Sequence, residues 1–156
     1  MNNSELSYAD LIDVIEEILG SGGEVKIYPK GTSMLPLIVQ GRDNVILTRR
    51  EYAAKKHDVA FYRRDNGQFV LHRVMKKRAD GTFTMCGDNQ RALEKGIRAD
   101  QIIGGMSQIE RKGNLISVES FRYRAYVFFW TKMPIRSCFF LLRKIRRVFG
   151  KSDKKS

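Results

Sequence analysis

Ser33, His72 and Asp88 are the residues whose types and surroundings could together do covalent chemistry. Ser33 lies in Gly-Thr-Ser-Met-Leu-Pro (31–36), between two runs of β-strand composition. A serine between a glycine turn and a proline-fixed segment can aim its own N–H into the space its hydroxyl faces, as an oxyanion hole requires. Taken alone, it reads as a turn hydroxyl rather than a nucleophile. His72 sits in Phe-Val-Leu-His-Arg-Val-Met (69–75). Strand alternation places its side chain on one face with Val70 and Val74, pointing inward or along a cleft wall. A neutral imidazole can take a serine proton near pH 7, although a satisfied core histidine would look the same. Asp88, in Cys-Gly-Asp-Asn-Gln (86–90), offers the carboxylate that orients an imidazole, or else a simple turn. His57 is the competing base; its charged, turn-like setting just before a strand predicts a solvent-facing side chain and ranks it behind His72.

The elements that would position these groups are mostly short strands. Residues 7–19 predict an amphipathic helix, with Ser7 as N-cap, Asp10 completing a capping-box-like pair, and Leu11, Ile12, Ile15, Ile18 and Leu19 at helical spacing. Gly20–Gly23 ends it. Seven β-type segments follow, and Asn66-Gly67 and Asp80-Gly81 are hairpin signals between neighbouring runs. A helical turn is expected near residues 91–96. The expectation is a mainly β fold: a small curled antiparallel sheet or partial barrel with an N-terminal helix.

Charge separates the C-terminal end from this body. The chain of 156 residues has a formal net charge of +12. Residues 1–120 carry 18 Lys plus Arg against 16 Asp plus Glu, whereas residues 121–156 carry 11 against one. A nearly neutral body gives no reason to expect nucleic-acid binding. From Ile135 onward a helical wheel gathers Cys138, Phe139, Leu142, Ile145 and Phe149 on one face, opposite Arg136, Arg143, Lys144 and Arg147. A basic amphipathic helix of this kind suits an anionic membrane surface, for which Trp130, Phe139, Leu142, Arg143 and Arg147 are the candidate contacts. Docking on the domain or on a partner is the plainer alternative. Charges and Pro134 interrupt both apolar runs before they reach a spanning length. Cys86 and Cys138 form no metal-ligand or disulfide pattern, so reduced thiols in the cytoplasm are expected, and neither metal nor cofactor is implied. No basic-then-apolar signal segment opens the chain.

Taken in order, Gly-Thr-Ser-Met-Leu-Pro, Lys-Lys-His-Asp-Val (55–59), Leu-His-Arg-Val (71–74), Cys-Gly-Asp-Asn and Ile-Ile-Gly-Gly (102–105) resemble the boxes of the signal peptidase I and SOS-repressor type of serine peptidase. The resemblance runs from about Val25 to Gly105. It implies that family's curled β-sheet, with Ser33 as nucleophile and His72 as general base. Histidine rather than lysine at the base position resembles the archaeal and endoplasmic-reticulum subtype, in which Asp88 would be the third member. Gly31 stands where many signal peptidases place a second hydroxyl, so the resemblance leaves oxyanion stabilisation to backbone donors, chiefly the Ser33 N–H, with Met34 lining a substrate pocket. His57 replaces the glycine that usually precedes the strand-start aspartate. No transmembrane anchor or helix-turn-helix precedes the serine box, which points to a short accessory or maturation peptidase. The expectation is a helix and linker (1–23), a peptidase domain (24–120) and a basic helical tail (121–156). Its substrate would be an extended peptide or precursor protein, and its location cytoplasmic, peripheral at the inner face of the membrane. A catalytically silent peptide-binding module, or a membrane-surface adaptor acting through the tail, would share these features.

Overall fold

A computed structural model describes residues 8–49 and 55–132. Residues up to Val118 form one compact unit and those from Glu119 another. The first unit opens with helix α1 (Tyr8–Gly20), close to the predicted span. Ile12, Ile15 and Leu19 recur on its buried face, and the helix packs against β1 (Val25–Ile27) and β7 (Ile102–Arg111). Leu11 and Ile18, expected on the same stripe, are exposed together with Val14. The proposed Ser7–Asp10 capping pair lies outside the described side chains. The helix stops as predicted: the N–H groups of Gly22 and Gly23 donate to the carbonyls of Leu19 and Ile18.

Six further strands complete the sheet: β2 (Asp43–Thr48), β3 (Val59–Arg63), β4 (Phe69–Lys77), β5 (Phe83–Cys86), β6 (Glu94–Ile97) and β8 (Asn114–Ser117). Among the described residues every strand pairing is antiparallel, in the order β1-β2-β7-β3-β4-β5-β6, with β8 returning along β7. The first unit is therefore mainly β, an open antiparallel sheet preceded by a helix. Both predicted hairpins form. Asn66-Gly67 joins β3 to β4, closed by the Arg64 N–H to Gln68 carbonyl bond at 2.8 Å, and Asp80-Gly81 joins β4 to β5. Ala60, Tyr62, Val74, Phe83, Met85, Ile97 and Ile102 form a buried cluster on one face, against which Val70 packs.

The helical turn expected near residues 91–96 is instead the entry to β6. Glu94 pairs with Met85, and Gly96 takes a φ of 82° that no helix accommodates. Pairing satisfies the outer edge of β5, a gain that local helical propensity in a four-residue segment cannot match.

The second unit contributes helix α2 (Phe121–Lys132), whose first turn is capped by the Ser120 hydroxyl accepting from the Tyr123 N–H. Trp130 is only 5% exposed, which does not suit a residue chosen to meet lipid. The exposed aromatics of α2 are Phe121, Phe128 and Phe129. Phe139, Leu142, Arg143 and Arg147 lie outside the described residues. Among the described residues no helix is long and apolar enough to cross a membrane.

Candidate functional site

Ser33 and His72 line a single groove of about 730 Å³. Ser33 comes from the loop between β1 and β2, and His72 from the middle of β4. Around them the groove is mostly apolar, with Leu11, Ile12 and Ile15 from α1 and Met34, Phe69 and Leu71 among its walls.

The serine loop is tied at many points. Gly31 donates its N–H to Gln40 Oε1 at 2.7 Å, and its φ of 91° requires a residue without a side chain. This accounts for the glycine where a second hydroxyl was a possible alternative. Met34 anchors the loop from below at 4% exposure, and its carbonyl accepts from the Ile38 N–H. Beyond it, Asp43 accepts from the Val39 N–H, Arg42 and Arg111, while Arg111 Nη2 also donates to the Leu37 carbonyl at 2.7 Å. Burial alone would raise the Asp43 carboxyl, yet these donors hold it at about 2, ionised throughout the neutral range.

The Gly87–Asn89 turn grips the same loop from the other side. Asn89 donates its N–H to the Ser33 carbonyl at 2.8 Å and its Nδ2 to the Thr32 carbonyl at 2.9 Å. A Cβ at Gly87 would stand 2.6 Å from the Ser33 carbonyl oxygen, so the two backbones meet where only glycine fits. Ser33 itself is left open: neither its hydroxyl nor its N–H has a hydrogen-bond partner among the described residues.

Asp88 does something other than the expected pairing with the imidazole. Its two carboxylate oxygens accept from Arg73 Nε and Nη2, both at 2.7 Å, in a fork that is wholly buried. Arg73 Nη1 also donates to the His57 carbonyl at 2.6 Å, and the His57 N–H donates to the Val74 carbonyl. The Leu-His-Arg-Val box, the His57 turn and the Cys-Gly-Asp-Asn turn are therefore one interlocked unit centred on Arg73. His57 adopts a φ of 79°, the left-handed region that favours glycine. It is half-buried, not solvent-facing as expected.

His72 is 3% exposed. Its Nδ1 lies 3.2 Å from the Tyr62 hydroxyl and 4.0 Å from Glu94 Oε2. Nε2 has no hydrogen-bond partner among the described residues, yet it is not sealed from solvent, so this nitrogen opens on the groove. Burial pushes the imidazole down to about 4. Glu94 and Asp88 pull it up and Arg64 pulls it down, but desolvation is the largest effect and the ring is neutral at pH 7. Glu94 in turn is clamped by Arg64, Nε to Oε1 at 2.8 Å and Nη2 to Oε2 at 2.7 Å. Burial opposes its charge, but Arg64 and Tyr62 hold the carboxyl below its ordinary value.

Tyr62, Glu94 and Arg64 did not emerge from the sequence as site residues. Tyr62 had a usable signal, since the Asn66-Gly67 hairpin fixes Ala60 opposite His72 and places Tyr62 two residues along the same face. Among the described residues no cluster of three or more His, Cys, Asp or Glu is placed to hold a metal ion. Comparison finds no family model, curated protein or solved structure that matches this chain.

Proposed function

We propose that this protein is a serine endopeptidase of signal peptidase-like type, with Ser33 as nucleophile and His72 as general base. The observation that carries the reading is the shared groove. A serine hydroxyl with no hydrogen-bond partner among the described residues and a neutral buried histidine with its Nε2 open line the same cleft. His72 Nε2 takes the proton from Ser33 Oγ as the oxygen attacks the carbonyl carbon of a peptide bond. The Ser33 N–H donates to the oxyanion, and Nε2 then hands its proton to the departing amine. Water, deprotonated by the same nitrogen, releases the acyl group and restores the serine.

The substrate is an extended segment with apolar side chains. Phe69, Leu71, Ile12 and Ile15 offer apolar walls, and β1, the end strand of the sheet among the described residues, is an edge on which a peptide can pair. Precursor proteins or peptides awaiting maturation have this chemistry. The +10 balance of residues 121–156 supports peripheral binding to an anionic membrane surface.

A serine-directed acylating probe tests the activity. The wild-type protein should be labelled at Ser33, and Ser33→Ala and His72→Ala should each reduce the signal by several orders of magnitude. Labelling that persists in Ser33→Ala overturns the proposal.

A further inference from the structure

We infer that Tyr62 and Glu94 are positioning residues for His72, forming a two-bond relay that fixes which imidazole nitrogen carries the proton. The inference rests on the peptidase reading above for its catalytic meaning, but its geometry stands independently. Glu94 Oε2 lies 2.8 Å from the Tyr62 hydroxyl, and the same hydroxyl lies 3.2 Å from His72 Nδ1. A tyrosine has one proton to give, and two neighbours compete for it.

The clamp by Arg64 decides the competition. With Arg64 donating to both Glu94 oxygens, the carboxylate is ionised and can only accept. Were the Tyr62 proton turned toward His72, its oxygen lone pairs would face an anionic oxygen at 2.8 Å. The proton therefore points at Glu94. The Tyr62 oxygen then has only lone pairs to offer His72, so Nδ1 must be the donor in that contact. A neutral ring with its proton on Nδ1 has its lone pair on Nε2, the nitrogen that opens on the groove. That is the only tautomer able to take a proton from Ser33. When it does so, the positive ring still donates through Nδ1 to a hydroxyl polarised by Glu94, and neither Tyr62 nor Glu94 changes protonation. Burial and the neighbouring Glu94 charge also push the Tyr62 hydroxyl well above its ordinary value, which keeps its proton in place.

A plain structural role, in which Tyr62 and His72 merely satisfy each other in the core, needs no particular tautomer. Nitrogen-15 correlation spectra of the His72 ring in the full chain at pH 7 distinguish the two. The wild-type ring should show a protonated Nδ1 and an unprotonated Nε2. Glu94→Gln retains the shape but can turn an amide N–H toward the Tyr62 oxygen. The tyrosine proton then swings to Nδ1, and the ring should invert to the Nε2–H form. Tyr62→Phe removes the acceptor altogether and should give a mixture of tautomers, with folding checked by the dispersion of the same spectra. Ser33 labelling should fall about 100-fold or more in Glu94→Gln, because the ring then presents an N–H to the serine. A wild-type ring protonated on Nε2, or a Glu94→Gln ring unchanged from wild type, overturns the relay. A wild-type protein that shows the predicted tautomers but never labels at Ser33 overturns the peptidase reading and leaves the relay standing.

Discussion

His72 should impose a measurable acid limit on stability, and removing it should lift that limit. The ring is held at about 4 in the folded protein against 6.5 when unfolded, because burial costs the charged form more than Glu94 and Asp88 return. Above pH 6.5 the ring is neutral in both states and contributes no pH dependence. As pH falls from 6.5 toward 4, the unfolded chain binds a proton that the folded chain refuses, so stability declines. Each unit of pKa difference is worth about 1.36 kcal/mol, which gives about 3 kcal/mol in full and about 2.5 kcal/mol by pH 4.5. With a side chain only 3% exposed, little of this is lost to solvent screening. The Glu94 and Glu110 carboxyls are both held below 4.5, so their own losses fall mainly beneath that window.

Urea unfolding at pH 7.5, 6.5, 5.5 and 4.5, for wild type and His72→Gln, measures the difference. The wild type should lose about 2.5 kcal/mol more than the variant between pH 7.5 and 4.5, with unchanged m-values. Parallel curves would mean that the imidazole is not desolvated. A wild type that gains stability as pH falls would mean that the Glu94 charge outweighs burial and raises the ring instead. Either result would overturn burial as the dominant influence on the His72 ring.

The same depressed value predicts that Ser33 labelling by a neutral acylating probe loses rate near pH 4 to 5, not near 6.5, in a stopped pH series. Asp88→Asn leaves the Arg73 guanidinium buried without its full counter-charge and should cost about 3 to 5 kcal/mol in urea unfolding; an aspartate acting only on His72 would cost reactivity with stability intact. Gly87→Ala drives a methyl group to 2.6 Å from the Ser33 carbonyl, so Ser33 labelling should fall at least about tenfold and stability by about 1 to 3 kcal/mol. At the left-handed His57, glycine should leave the midpoint equal or higher, whereas valine should lower stability by about 1 to 2 kcal/mol. Flotation with anionic vesicles at low salt should carry the full chain, and Arg143→Glu with Arg147→Glu should abolish it; a charge-reversed protein that still floats would move the binding surface elsewhere.

The helix, the two hairpins and the Ser33 loop were legible because each has a local cause: apolar spacing, Asn-Gly and Asp-Gly turns, a glycine and a proline around Ser33. The partner of His72 was not legible, because it depends on strand parity across four strands. Residues 72 and 73 point to opposite faces of β4. Arg73 stands opposite Cys86, so the face that Arg73 shares with Cys86 is, continuing the alternation, the face of Asp88. That is why the aspartate of Cys-Gly-Asp-Asn meets the arginine beside the histidine and not the histidine itself. On the other face, Val74 stands opposite Met85, and Met85 opposite Glu94. This parity delivers a carboxylate to the His72 side, while Ala60 opposite His72 delivers Tyr62. Residues 91–96 contain no β-branched residue to announce a strand, so Glu94 could be placed only by the pairing of β6 with β5. A box pattern in sequence preserves order and spacing, but the choice between Asp88 and Glu94 is made by a single residue of register.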